Sequence, residues 1–365
     1  MEVALKDCRR VTVKDIAEKM NVSLSTVNKA LTGKSGVSEK RRAEIVAMAK
    51  EMGYEVNHIA QALSRGVIKI GVIIPSLWRQ YYEVIEAGMR MEFAKLAQQK
   101  VEGVFRHISH AAEIEGAFCS LCDEGVDVIA YCPSLFEVPE SLKNISKQRK
   151  VPVFIVGDAS DELPSVCSVF TNSKISAYMA ADVLALASPK GSVAAVFVGT
   201  LRLKSHREKA DAFRERALAC GFSDVVVYET FDNVNAIERS ISDLTSNYPD
   251  VKAIYAATAV ITPFVDRFER VAPSKRPAIV ATDIYDEVRN AVAKGQVLAT
   301  IFQNQKVVGR LAVRKAYDYV VNMMSYNSHD DAFTGNIYVM PQLFLPSRID
   351  EFKFDYGNEY ILEHS

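Results

Sequence analysis

Near the N-terminus, residues 12–31 read TVKDIAEKMNVSLSTVNKAL, a pattern of two short helices joined by a tight turn. Thr12 can cap the first helix, because an acidic residue follows three positions later in capping-box spacing. Asn21 stands at the turn, and Asn tolerates positive φ better than most residues. Ser23 can cap a second helix, Leu24–Leu31, whose apolar residues fall on one face. The stretch therefore predicts a helix–turn–helix pair.

A third helical segment completes this N-terminal unit. Ser38 can cap Glu39–Met52, and Gly53 is placed to end it. Two helices joined by a short turn, with a third packed across them, form an arrangement whose second helix can enter the major groove of DNA. An ordinary three-helix bundle is the alternative. Residues 57–66 (NHIAQALSRG) have a helical pattern too short to be stable alone in water, so we expect folding on a partner or a simple linker.

From Ile68 onward the sequence changes character. Short apolar runs bounded by Gly, Pro or Asp alternate with helical patterns, as in Ile68–Pro75 followed by Tyr82–Gln99, and Ser192–Gly199 followed by Lys204–Ala219. Continuous apolar runs are typical of parallel strands buried on both faces, and the alternation predicts stacked β-α-β units. The body is long enough for two doubly wound parallel-sheet lobes, with ligands binding beyond the carboxyl ends of their strands.

Composition limits the function classes. The 365 residues carry 44 Lys and Arg against 45 Asp and Glu, with 49% hydrophobic and 24% charged residues, which excludes a histone-like or generally disordered chain. Residues 1–66 hold 12 Lys and Arg against 8 Asp and Glu, a net +4, and the remainder is net −5. A basic head on an acidic body suggests that one end meets an anion.

Several other classes lack support in the sequence. No apolar signal-peptide core or membrane-length apolar stretch is visible, so we expect a cytoplasmic protein without membrane contact. The motif Cys119-Ser-Leu-Cys122 has no second ligand pair, and its cysteines are expected to be small buried hydrophobes. No phosphate-binding glycine motif follows a strand, and no catalytic triad or paired-carboxylate motif is present. We therefore expect no enzyme activity, no cofactor and no metal.

The order and spacing of the N-terminal motifs resemble the lac repressor (LacI/GalR) family. The body is similar to the periplasmic sugar-binding-protein-like core of that family. The resemblance implies a helix-turn-helix headpiece before a periplasmic binding protein-like type I core, in a homodimer bound to a pseudo-palindromic operator. The matching stretches are TVKDIAEK at residues 12–19, VSLSTVNKAL at 22–31, GY at 53–54, NHIAQAL at 57–63, VATD at 280–283 and VAKGQVLATIFQ at 292–303.

The resemblance also implies a set of DNA contacts. Leu24 and Ser25 take the places that read bases in the major groove, and Leu63 that of a leucine inserted into a minor-groove step. Asn28-Lys29 stands where the family usually has Ser-Arg, so the operator half-site stays open. Capping alone is the alternative role for Ser23 and Thr26. The residues expected to contact DNA are Thr12, Ser23, Leu24, Ser25, Thr26, Asn28, Lys29, Tyr54, Asn57, Ala60 and Leu63.

In the body, the resemblance implies a ligand site between the lobes. The loop at residues 76–82 aligns with one that supplies aromatic rings against a sugar, with packing at a helix start as the alternative for its tyrosines. Thr258-Ala259 stands where the family usually has Asn-Asp, which removes an amide and a carboxylate. Together with Trp78 and Arg79, this departure makes an ordinary pentose a poor fit, and a larger sugar derivative and a negatively charged one are equally consistent with the sequence. The residues expected to bind ligand are Trp78, Arg79, Tyr81, Tyr82, Asp158, Arg207, Lys209, Thr258, Asp283 and Gln303.

These observations predict a sequence-specific DNA-binding transcriptional regulator whose operator affinity is controlled by a small molecule, with a solute-binding protein of a sugar transport or sensing system as the alternative. The effector, the operator, the sign of regulation and tetramer formation stay open. We expect a headpiece at 1–56, a hinge at 57–67, a core at 68–346 and a tail at 347–365. Within the core, lobe 1 is expected at about 68–171 and 304–331, and lobe 2 at about 172–303 and 332–346.

Overall fold

The computed structural model describes residues 11–31, 36–52, 66–77, 79–134, 136–160, 163–326 and 335–349. Its N-terminal unit contains helices α1 (Val13–Met20), α2 (Leu24–Leu31) and α3 (Glu39–Glu51). Most of the expected hinge and tail lies outside the described residues, so those two segments stay predictions.

Local capping explains where α1 and α2 begin. Thr12 and Asp15 form a capping box, in which the Asp15 N–H donates to the Thr12 hydroxyl over 3.4 Å and the Thr12 N–H to Asp15 Oδ2 over 2.7 Å. Asn21 ends α1 in the left-handed conformation, at φ 51° and ψ 50°. The Ser23 hydroxyl accepts the Thr26 N–H at 3.1 Å. The predicted caps and turn are confirmed.

A small apolar core holds the three helices together. It uses one face of α1, α2 and α3, so the opposite face of α2 is left to solvent. Its buried members are Ile16, Ala17, Val27, Ala30, Leu31, Ile45 and Ala49.

The first lobe of the body is a six-stranded parallel sheet. Its strands are β1 (Ile68–Pro75), β2 (Val101–Ile108), β3 (Val128–Tyr131), β4 (Val153–Val156), β5 (Cys167–Thr171) and β11 (Gly335–Val339). They lie in the order β11-β5-β4-β3-β1-β2. The helices of this lobe are α4 (Arg79–Leu96), α5 (Glu113–Asp123), α6 (Glu140–Arg149) and α12 (Gln305–Tyr326).

The second lobe repeats the design. Its strands are β6 (Val193–Val198), β7 (Asp224–Glu229), β8 (Val251–Ala257), β9 (Ala278–Thr282), β10 (Ala299–Phe302) and β12 (Gln342–Phe344), in the order β12-β10-β9-β8-β6-β7. All pairs are parallel except β10 with β12. The helices are α7 (Ser173–Ala187), α8 (Lys204–Ala219), α9 (Val234–Asn247), α10 (Thr262–Glu269), α11 (Asp286–Ala293) and α13 (Pro346–Ile349).

One part of the predicted lobe division is wrong. The sequence assigns residues 332–346 to lobe 2, but β11 pairs in parallel with β5 of the first sheet. Only β12 joins the second sheet. Both strands are short and partly exposed, so their apolar patterns do not reveal which sheet they extend.

Several elements have no counterpart in the sequence prediction, and β2 shows why. It lies at the edge of the first sheet, and only its two end residues are buried. Because its side chains are largely half-exposed, its sequence VEGVFRHI lacks the continuous apolar run by which the inner strands are recognised.

Helices α4 and α12 pack with their backbones in close contact. A Cβ added at Gly88 of α4 would lie 2.1 Å from the Lys306 carbonyl oxygen, and one added at Gly309 of α12 would lie 2.0 Å from that of Ile85. Only glycine permits this approach. The contact joins the helix that starts beside Tyr81 to the helix that starts after Gln303.

Candidate functional site

The solvent face of α2 is a candidate nucleic-acid interface. Leu24 is 49% exposed at the start of the helix, between the exposed residues Ser23 and Ser25. Asn28 and Lys29 are exposed one turn later. An apolar side chain among hydroxyl and amide groups at a helix N-terminus can contact base edges, while the helix end and the hydroxyls attract phosphates.

The other predicted DNA contacts divide into two groups. Thr12 and Thr26 hold the local fold: the Thr12 hydroxyl belongs to the capping box, and Thr26 Oγ1 lies 2.8 Å from Ser23 Oγ. Both helix starts are thereby fixed before any contact with DNA. The remaining four, Tyr54, Asn57, Ala60 and Leu63, lie outside the described residues.

A cleft of about 540 Å³, counted with its open mouth, lies between the two lobes. It opens at the carboxyl ends of strands, which is the expected position for a ligand in parallel sheets. Six of the ten predicted ligand residues line it. The full lining is Tyr81, Tyr82, Leu203, Lys209, Asp232, Ala257, Thr258, Ala259, Thr282, Asp283, Tyr285 and Gln303.

Lobe 1 contributes two tyrosines at the start of α4. Their rings meet edge to face, with centroids 5.1 Å apart. The Tyr81 hydroxyl donates to the Gly157 carbonyl oxygen at 2.9 Å, and the Tyr82 hydroxyl to that of Pro133 at 2.6 Å. Burial raises the pKa of both hydroxyls well above the ordinary value. Their hydroxyls therefore serve the lobe itself, and the rings are left to contact a ligand.

Lobe 2 contributes a buried polar network. Lys209, which is 2% exposed, donates from Nζ to Gln303 Oε1 at 2.7 Å. Gln303 donates to Asp283, from its backbone N–H to Oδ1 at 3.1 Å and from Nε2 to Oδ2 at 2.8 Å. The Tyr285 hydroxyl donates to Asp283 Oδ2 at 3.2 Å. Asp283 is held in the left-handed conformation at φ 65°.

Burial shifts the ionisation of this network. It lowers the pKa of Lys209, while Asp283, Asp158 and Asp232 act in the opposite direction. Burial raises the pKa of Asp283, and the hydrogen bonds from Gln303 oppose that rise. An ionisable cluster with perturbed pKa values in a cleft is characteristic of a functional site.

Asp158 bridges the lobes and does not line the cleft. It follows β4 of lobe 1, and its two carboxylate oxygens accept the N–H and the hydroxyl of Ser205, on α8 of lobe 2, at 3.0 and 2.9 Å. Burial raises its pKa from 3.8 to about 6, although these bonds and the Ala159 N–H oppose the shift. Its oxygens are thus used for contact between lobes.

Arg207 also points elsewhere. Its guanidinium donates to the carbonyl oxygens of Leu201 and Arg202, at 3.0 and 3.2 Å, and the residue lines a neighbouring cavity. Trp78 lies outside the described residues, and so does the side chain of Arg79, the first residue of α4. The structure therefore does not test those two assignments.

Sequence reasoning missed six cleft residues, of which Asp232 is the most informative. Asp232 follows β7, and its Oδ1 accepts the Thr258 hydroxyl at 2.5 Å. A polar residue after a buried strand is a usable signal. The contact of Asp232 with Thr258 depends on the left-handed backbone at Phe231 and Asp232. Neither residue is glycine, so the sequence does not indicate this turn.

No cluster of three metal-ligating side chains occurs among the described residues. Cys119 and Cys122 are free thiols on α5, and both are half-buried rather than fully buried as predicted. No helix in the described part of the chain has the length and apolar character needed to cross a bilayer.

Comparison with known proteins assigns both parts of the chain. Residues 12–57 match the family described as bacterial regulatory proteins, lacI family, and residues 70–322 match the periplasmic binding protein domain. The chain is 27% identical over 160 residues to the HTH-type transcriptional regulator pepR1 of Lactobacillus delbrueckii subsp. lactis, and 28% identical over 155 residues to catabolite control protein A of Staphylococcus epidermidis. These alignments cover 43% and 42% of the chain. They cover 46% of each relative, so the chain spans about half the length of the curated relatives it matches.

Solved structures share the fold of the body. GanP, a glucose-galactose binding protein from Geobacillus stearothermophilus, superposes with a TM-score of 0.66 at 16% identity, over 78% of this chain and 99% of that one. AraP, an arabinose binding protein from the same organism, gives 0.66 at 15% identity, over 79% and 99%. At this level of identity the likeness shows the fold alone.

Proposed function

We infer that this chain, which belongs to the lacI family of bacterial regulatory proteins and carries a periplasmic binding protein domain, is a sequence-specific DNA-binding transcriptional regulator. A small molecule, a sugar or sugar derivative, binds between its lobes and controls its affinity for the operator. The single observation that carries this proposal is the presence, on one chain, of a helix with an exposed reading face and of a two-lobed cleft with a buried ionic network.

The DNA contacts follow from the exposed face of α2. Leu24 offers an apolar contact such as a thymine methyl, and Ser25, Asn28 and Lys29 offer polar contacts to bases and phosphates. Leu63 enters a minor-groove step and kinks the duplex. Two copies of the chain place their headpieces on a pseudo-palindrome, so the working form is a homodimer in the cytoplasm that acts without catalysis.

Control of binding follows from the two lobes. The ligand must bind one arrangement of the lobes better than the other, because only a difference in affinity shifts the equilibrium. A coupling free energy of about 1–3 kcal/mol would change operator affinity roughly 5- to 150-fold, and DNA would change ligand affinity by the same factor.

Operator binding can be tested with duplexes selected from a randomised pool by the full chain. We expect enrichment of a pseudo-palindrome, with affinity that falls steeply as salt rises. Leu24→Ala should weaken binding about tenfold, since loss of recognition at one base pair typically costs about 1–3 kcal/mol. Leu218→Ala is the matched control, because Leu218 is 45% exposed on α8, outside the headpiece.

The proposal fails if the purified chain shows no preference for any duplex and Leu63→Ala leaves its DNA affinity unchanged. If that chain still bound a sugar in the cleft, the solute-binding alternative would take its place.

A further inference from the structure

A carboxylate from a different strand occupies the end of β8. That end offers the cleft a hydroxyl from Thr258 and a methyl group from Ala259. Asp232, which follows β7, lines the same cleft. Its Oδ1 accepts the Thr258 hydroxyl at 2.5 Å, and the Ala259 N–H also donates to its carboxylate. Asp232 thereby supplies an acidic group where the residues of β8 supply none.

The sheet order makes this contact unusual. β7 and β8 are not neighbours, because β6 lies between them. Asp232 must therefore reach over the carboxyl end of β6, which Gly199 follows directly. A Cβ at position 199 would lie 2.7 Å from Asp232 Oδ2 and 2.8 Å from His206 Cε1. Glycine at this position is what leaves room for the carboxylate.

The backbone that carries Asp232 is strained. Phe231 and Asp232 have φ angles of 52° and 50°, a left-handed conformation that Asp tolerates but that a bulky residue such as Phe231 rarely adopts. The turn is held by the Thr230 N–H, which donates to the Val198 carbonyl oxygen at 2.9 Å, and by the Phe231 N–H, which donates to that of Gly199. Strain that the surrounding structure enforces is concentrated at functional sites.

The charges around Asp232 disfavour an anionic ligand. Among the described residues that line the cleft, Asp232 and Asp283 are acidic and Lys209 is the single cation. His206, beside Asp232, adds no charge: burial lowers its pKa to about 3, and its Nδ1 accepts the Thr200 N–H at 2.9 Å. A phosphate group, with about 1.5 to 2 negative charges, would meet two carboxylates and one amine.

We propose that Asp232 determines the ligand class of this cleft, by accepting hydrogen bonds from a hydroxyl-rich ligand that carries no negative charge, an unphosphorylated sugar or polyol. This inference rests on the proposed function of the cleft as the effector site. It narrows the sequence-based expectation, in which a negatively charged sugar derivative was equally consistent.

The test is isothermal titration of the full chain with neutral, amino and phosphorylated members of matched sugar series, such as galactose, galactosamine and galactose 6-phosphate, and with myo-inositol. We expect at least one unphosphorylated probe to bind, and its phosphorylated partner to bind at least tenfold more weakly. Asp232→Asn keeps an acceptor for Thr258 but loses the charge, so it should lower the affinity for the neutral probe about tenfold or more. Asp211→Asn, an exposed change of equal charge on α8, is the control and should have no effect.

Thermal unfolding of each ligand-free variant establishes whether it folds. If Asp232→Asn does not fold, Thr258→Val replaces it, since that change removes the hydroxyl that donates to Asp232 and should also weaken binding. Tighter binding of a phosphorylated probe than of its parent would overturn the proposal. So would unchanged affinity in the folded variant, or a wild-type chain that binds none of the unphosphorylated probes. Operator binding by the wild-type chain is measured in parallel. If the wild-type chain binds no operator, that result counts against the proposed function and not against the role of Asp232.

Discussion

The two walls of the cleft differ in what their polar atoms do. On the lobe 1 wall, Tyr81 and Tyr82 donate their hydroxyls to the backbone of their own lobe. On the lobe 2 wall, Lys209, Asp283 and Gln303 bond to one another and face the cleft as a buried charged network. On the proposed function, this difference would give the walls separate tasks: lobe 2 would select the ligand by charge and hydrogen bonding, and lobe 1 would add ring surface.

The largest effect is expected from Lys209→Met. The change removes the donor to Gln303 Oε1 and takes a nearby cation away from the buried Asp283, and a buried polar group left unsatisfied costs about 1–3 kcal/mol, more for a charged group. We expect a clear fall in the melting temperature and loss of ligand binding, read by thermal unfolding and titration. Lys294→Met, an exposed change after α11, should leave both unchanged. A stable variant with normal binding would contradict the charged role of lobe 2.

A smaller loss of ligand affinity is expected from Asp283→Asn. Asn tolerates the left-handed backbone and can still accept the Gln303 N–H, but its amide nitrogen would face the Gln303 side-chain amide, which also donates. An unsatisfied buried donor costs about 1–3 kcal/mol, so ligand affinity should fall roughly tenfold or more. Titration checks this, and Asp283→Ala should be worse because Ala also disfavours φ 65°. Equal binding by wild type and both variants would place the ligand elsewhere.

Tyr81→Phe examines the opposite wall. It removes the bond to Gly157 but keeps the ring, so we expect a stability loss of about 1 kcal/mol and ligand affinity within two- to threefold of wild type. Tyr81→Ala, which removes the ring, should weaken binding much more. If Tyr81→Phe lost as much affinity as Asp283→Asn, the proposed division between the walls would be wrong.

The last expected effect is a change in the pH dependence of stability, from Asp158→Asn. Because burial raises the pKa of Asp158 to about 6, the folded protein holds this proton more tightly than the unfolded chain does. Its contribution to stability is therefore greatest below about pH 4 and declines as the pH rises toward 6. Melting temperatures from pH 4 to 7 should decline less in the variant. Asp232 and Asp283 have pKa shifts of the same sign and remain in both proteins, so an identical decline would show that Asp158 does not contribute.

Local signals explain which parts of the fold were predictable. The bounds of α2 and α8 follow from the sequence because both helices have apolar spacing within the segment, and Ser23 also caps α2. The edge strand β2 was missed because half-exposed strands lack an apolar run. The placement of β11 beside β5 is a long-range pairing that a five-residue pattern does not encode.

The same distinction applies to the site. Asp283 and Gln303 lie in the two stretches that most resemble the family core, and the structure brings them together with Lys209. Asp158 and Arg207 were expected in the same site, but their polar atoms bond to Ser205 and to backbone carbonyls. Which way a side chain turns depends on contacts between distant segments, and for that reason the sequence could not separate these two groups.

The close contact between α4 and α12 affects which substitutions the chain can accept. Gly88 and Gly309 lie in helix interiors, so their sequence context suggests positions where alanine would be mildly favourable. In this fold even one methyl group at either position would overlap a carbonyl oxygen of the other helix. We therefore expect a saturation-mutagenesis map of ligand response to show two intolerant positions with no ligand contact. The cause would be that α4, which carries Tyr81, and α12, which follows Gln303, can then no longer pack at this close distance.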